Sequence, residues 1–150
     1  MSTAIKKRKV LKYKKLHLLL ADCLTDLRWA ERSKKYEVDM DYYVRKHPSS
    51  LCRVCLAGAC IVRRSDEHPE RGFASPDWFN LNPDHFHPET SKVMRAADSL
   101  RRGDVMSAAS VLGLPPIEGF NCDIPSYHTR SEAWWKAMRK MLRDLRAANI

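Results

Sequence analysis

Apolar residues recur at helical spacing through most of the chain. From Tyr13 they fall at Tyr13, Leu16, Leu20, Cys23, Leu24 and Leu27. At about 100° per residue these share one stripe, so residues 10–33 predict an amphipathic helix. Residues 36–44 instead alternate apolar and polar side chains, the period of a strand. An isolated strand has no partner, so this segment predicts an extended connection. His47-Pro48-Ser49-Ser50 interrupts the pattern, and Ser49 or Ser50 suits the N-cap of a helix over 51–64.

A polar stretch follows at 65–89, punctuated by Pro69, Gly72, Pro76, Pro83 and Pro88. Its aromatics Phe73, Trp78, Phe79 and Phe86 imply a loop that packs against the body, and loops of that length are more often functional than average. Helical periodicity resumes at 89–102 and 104–112, closed by Gly103 and Gly113, the residue that terminates helices best. Asp104 suits the N-cap of the second. After a loop at 114–128, Thr129 and Glu132 form a T-x-x-E capping box that opens a last helix to about Ala148. The apolar stripe of that helix is Trp134, Met138, Met141 and Leu145, flanked by Trp135 and Leu142. The fold class expected is all-α: a compact bundle of about five helices with a long Pro- and aromatic-rich loop. The helical domain spans 10–150, with a basic arm at 1–15.

Charge changes this picture by its placement. The 150 residues hold 27 Lys plus Arg against 18 Asp plus Glu, a formal net charge of +9. Lys6, Lys7, Arg8, Lys9, Lys12, Lys14 and Lys15 lie in the first fifteen residues, with no acid before Asp22. Seven of the nine net charges therefore sit in a tenth of the chain, on a nearly neutral body. Such an arm suits phosphates, acidic protein faces or anionic lipid. Lysines in the first turns of the first helix also oppose its dipole, which favours an anion nearby. Lys6-Lys7-Arg8-Lys9-Val10 has the form of a short nuclear-import signal, a common pattern. A second basic surface lies on the last helix: Lys136, Arg139, Lys140, Arg143 and Arg146, opposite its Trp/Met stripe. Faces of this kind are ordinarily just solvated; as a working surface it offers a phosphate track or a grip on an acidic protein.

The hydrophobic fraction of 44% and charged fraction of 30% exclude collagen-like and generically disordered classes. No apolar run approaches the roughly 18 residues of a membrane span. No small-residue cleavage site follows Leu16–Ala21, which argues against secretion. Five cysteines are an odd number, and a chain of this size folds without disulfides. A cytoplasmic setting is expected.

Cys52-Arg53-Val54-Cys55-Leu56-Ala57-Gly58-Ala59-Cys60 is the most distinctive segment. The C-x-x-C spacing invites a zinc or redox reading. A closed zinc site needs two further ligands, and Cys60, His68, His85, His87, Cys122 and His128 repeat no known spacing. The stronger reading is a core helix, with Cys52, Cys55, Leu56, Ala59 and Cys60 on one face, the thiols acting as small hydrophobes. Ala57, Gly58 and Ala59 would admit a neighbouring helix. This segment resembles a C-x-V-C-L-A-G-A stretch of small uncharacterised proteins of tailed bacteriophages. Leu100-Arg101-Arg102-Gly103 is similar to their downstream Leu-Arg-x-Gly helix ending. The resemblance covers these two short patches, and implies a phage or prophage setting in a bacterial host. Small phage proteins outside the virion often bind and redirect a host or defence protein.

Asp84-His85-Phe86-His87-Pro88-Glu89 is the best catalytic-looking cluster, because H-x-H can supply two metal ligands and a flanking carboxylate a third. Without a strand to carry it, it reads as a polar loop. No G-x-S-x-G, Walker loop or dinucleotide fingerprint is present. The expectation is a non-enzymatic protein without catalytic residues, metal, cofactor or membrane partner. It would bind a host or defence macromolecule through its basic surfaces, in the manner of an inhibitor. The alternative is a sequence-nonspecific nucleic-acid binder, and a metal-dependent module ranks third. Helices 89–102 and 104–112 have helix-turn-helix order, but Gly103-Asp104 is a short turn for that motif.

Overall fold

In the computed structural model the described residues are 11–46, 52–65, 79–81, 83–120, 122–128 and 131–150. Among them are five α-helices: α1 (Leu16–Arg32), α2 (Leu56–Arg64), α3 (Pro88–Arg101), α4 (Val105–Val111) and α5 (Glu132–Ala147). The fold is mainly helical, but it is not all-α. Four three-residue strands, β1 (Tyr36–Val38), β2 (Val44–Lys46), β3 (Cys52–Val54) and β4 (Phe79–Leu81), make one mixed sheet in the order β1-β3-β2-β4. β1 runs parallel to β3, while β2 is antiparallel to both β3 and β4. The alternating segment 36–44 is thus two strand pieces rather than a connection. Their partners come from stretches that sequence periodicity assigns to a helix and a loop.

That sheet also corrects the start of α2. Residues 52–54 are extended, and the helix begins at Leu56 with Cys55 as N-cap, its Sγ accepting from the Gly58 amide at 3.4 Å. Ser49 and Ser50 lie outside the described residues. Gly58 does permit a close approach, but of a strand-leading backbone rather than a helix. A Cβ there would stand 1.5 Å from the carbonyl oxygen of Tyr43. The long loop is likewise interrupted, by β4 and a 3₁₀ turn at Pro83–His85. Phe86 is buried as expected, whereas Phe73 and Trp78 lie outside the described residues.

Helix α1 starts at Leu16, later than its stripe suggests. Lys15 is extended and offers no side-chain cap, and lysines at 12, 14 and 15 would crowd the positive end of the dipole. The cap comes from the far end of the chain: the Ile150 carbonyl accepts from the His17 amide at 3.1 Å and from its Nδ1 at 2.8 Å. Residues 11–15 still belong to the body. Leu11 is buried, and the Tyr13 hydroxyl donates to Asp22 Oδ2 at 2.7 Å.

The other helix ends follow local chemistry. After α3 and α4 the chain closes with left-handed Gly103 and Gly113. The amides of Asp104 and Leu114 return to the carbonyls of Ser99 and Ala109, which uses acceptors that a helix end otherwise leaves open. Asp104 caps α4 through the Ser107 amide at 3.0 Å, and hydrogen bonding from the Ser107 side chain, then from its amide, lowers the Asp104 carboxyl pKa. At α5 the cap is Ser131, accepting from the Trp134 amide; Thr129 lies outside the described residues. α1 packs against α2, α3 and α5, and Leu16, Leu20, Leu27, Leu56, Met94 and Trp134 are among the fully buried side chains. Among the described residues no helix is long and apolar enough to cross a membrane.

Candidate interaction surface

The orientation of α5 decides which of its residues are available. Trp134, Trp135, Met138, Met141 and Leu145 are all buried, as the stripe predicts. Contacts of Trp135 with Glu31 and Arg28 then fix the rotation of the helix on α1. Glu31 accepts from Trp135 Nε1 at 3.0 Å and from the Tyr127 hydroxyl at 2.8 Å, while Arg28 lies 3.8 Å above the Trp135 ring. A charged acceptor and a cation on an indole face are both stronger than neutral contacts. The opposite face is therefore turned outward, and Lys136, Arg139, Lys140, Arg143 and Arg146 are all exposed.

Two of these five are engaged within the helix. Lys140 donates to Asp144 at 2.8 Å, which raises its pKa, and Arg139 stands 3.8 Å from Glu132. Exposed pairs like these are weak and yield readily to a competing anion. Lys136, Arg143 and Arg146 have no ion-pair partner among the described residues.

The arm meets this helix at its C-terminal end. Asn149 takes a left-handed conformation (φ 55°), and the amides of Asn149 and Ile150 return to the Arg146 and Leu145 carbonyls. The Asn149 carbonyl turned out by this cap accepts from Lys15 Nζ at 2.8 Å. Lys12 and Lys14 are exposed beside it in the chain; Lys6, Lys7, Arg8 and Lys9 lie outside the described residues. The root of the arm thus sits one turn beyond Arg146. Sequence reasoning found both basic elements but not this junction, which joins residues 134 positions apart.

Several residues of the other candidate clusters have structural roles. Cys52 lies on β3 and Cys55 at the cap of α2, so the C-x-x-C pair is split between two elements. Burial pushes the Cys55 thiol up to about 11, disfavouring the thiolate that metal binding and redox exchange require. Cys23 and Cys60 are fully buried, and the thiol of Cys23, in contact with Cys60, is also raised well above its ordinary value. In the H-x-H cluster, His87 caps α3 by accepting from the Glu89 amide at 3.1 Å. Asp84 pairs with Arg95 and Glu89 with Lys92. No group of three or more metal-ligating side chains occurs among the described residues. α4 has seven residues and exposes Met106, Ser107 and Ser110.

Arginine is also used structurally. Asp26 of α1 is completely buried and accepts from Arg64 Nε at 2.5 Å and Arg63 Nη1 at 3.3 Å. Burial raises the Asp26 carboxyl despite both cations, which pull the other way, while the bond to Asp26 raises Arg64. Arg63 additionally lies 5.2 Å from the Trp29 ring centroid.

In comparisons with known proteins, no protein-family model, curated protein or solved structure matches this chain.

Proposed function

We propose that the protein is a non-catalytic interaction protein that grips an acidic macromolecular partner with the N-terminal arm and the outer face of α5. The observation that carries this reading is the fixed rotation of α5. Its Trp/Met stripe and the Glu31 contacts hold five cations outward, and the arm is tied to the end of the same helix. Cations on a packed helix lose little conformational freedom on binding, and the charge of the arm adds long-range attraction. The resemblance to small phage proteins directs the reading toward a bacterial host or defence protein, with the protein acting as an inhibitor. Nucleic acid is the competing occupant, because phosphates answer to the same cations.

Affinity for labelled poly-glutamate and for random-sequence DNA and RNA, measured across a salt series, tests the reading. A steep loss of affinity with salt is expected for at least one polyanion. Changing Lys6, Lys7, Arg8, Lys9, Lys12 and Lys14 to Gln is expected to lower both affinity and slope. A flat log–log dependence for all three polyanions would falsify it.

A further inference from the structure

We propose that a cleft at the root of the arm takes one apolar side chain of an acidic peptide, so that the partner is a protein segment rather than a nucleic acid. The inference rests on the reading above and names the class of anion. The cleft encloses about 300 Å³, at the lower end of the ligand-sized range and enough for a side chain or two. Pro115, Pro116, Ile117 and Ile150 give it apolar walls, and Lys14 and Lys15 line it with them. The bond from Lys15 Nζ to the Asn149 carbonyl holds one ammonium in place. Lys14 is exposed.

This combination selects among anions. A phosphodiester would be drawn by the two lysines but would leave the apolar walls in water. Proline has no N–H, so positions 115 and 116 offer a phosphate no backbone donor. Bases bind sequence-tolerantly by stacking on aromatic side chains, and no aromatic residue is among those lining the cleft. A carboxylate-rich segment carrying an aliphatic residue uses both features: its carboxylates meet the lysines, and its apolar group displaces water from the proline and isoleucine walls. The two prolines are already stiff, so little freedom is lost when they are covered.

The full chain is titrated with two labelled peptides of glutamates, one with a central leucine and one with serine in its place. The leucine peptide is expected to bind about ten-fold more tightly. Pro115→Ser with Pro116→Ser, both at exposed positions, is expected to bring the two peptides to within about three-fold while leaving the serine peptide unchanged. Lys14→Glu, a single exposed change that keeps the test open if the double variant unfolds, is expected to weaken both peptides alike. Equal, salt-dependent binding of the two peptides overturns the inference and leaves the proposed function standing. Random duplex DNA binding more tightly than the leucine peptide also overturns it, as does Lys14→Glu leaving both peptides unaffected. Binding of neither peptide nor DNA removes the inference and the proposed function together.

Discussion

Helices α2 and α5 both carry arginines, and they use them in opposite ways. On α2 the cations are consumed internally: Arg63 and Arg64 close on the buried Asp26, Arg64 also approaches Asp22 at 3.5 Å, and Arg63 leans toward Trp29. The N-terminal half of α2 is equally committed, with Gly58 against the Tyr43 backbone and Cys55 as its cap. On α5 the inner face is as tightly held, by Trp134, Trp135 and the Glu31 contacts. Its outer cations, however, meet only weak i,i+4 and longer partners, or none among the described residues. Residue type and helical spacing are similar; what separates structural charge from available charge is whether a buried carboxylate faces it.

The largest test of that contrast falls on α2. Gly58→Ala would drive a Cβ into the Tyr43 carbonyl, a backbone group that cannot swing aside. A loss of about 4 kcal/mol or outright failure to fold is expected in urea denaturation. A loss below about 1 kcal/mol would mean that the α2 seam is looser than described. Asp26→Ala comes next, at about 2 kcal/mol. Its cost arises from the lost hydrogen bonds and the void, since burial already opposes ionisation there and both arginines can reach water. Polyanion affinity of the folded variant is expected to stay unchanged. Thiol labelling gives the smallest effect. At pH 8, Cys122, part-exposed and lining a recess with Lys140 and Asp144 of α5, is expected to react before Cys23, Cys55 and Cys60. Cys23, Cys55 and Cys60, whose sulfurs lie in the α1–α2 region, should react only as the protein unfolds. Equal rates for Cys122 and Cys55 would erase the distinction.

The legible parts of the molecule are those determined within a few residues of chain. Gly103 and Gly113 end their helices because the left-handed turn suits glycine, and Asp104 caps because its carboxylate reaches an amide three residues on. The outer face of α5 was legible for the same reason: five cations recur opposite an unbroken Trp/Met stripe. The sheet was not. Residues 36–44 do alternate, but β3 and β4 are three residues long, too short to leave a period, and β1 finds its neighbour β3 across β2. That hidden pairing also moved the start of α2 and split Cys52 from Cys55. The Lys15–Asn149 junction and the Arg64–Asp26 pair are contacts between distant positions, to which a local pattern is blind.

One paired measurement bears most directly on the division between structural and available charge. Stability and poly-glutamate affinity are compared for Lys136→Glu with Arg143→Glu and Arg146→Glu, and for Arg63→Gln with Arg64→Gln. The α5 variant is expected to keep its stability within about 0.5 kcal/mol and to lose binding at least about ten-fold. The α2 variant should lose about 3 kcal/mol of stability and bind as before while folded. An α5 variant that binds normally, or an α2 variant that loses binding without losing stability, would contradict the assignment of the two helices.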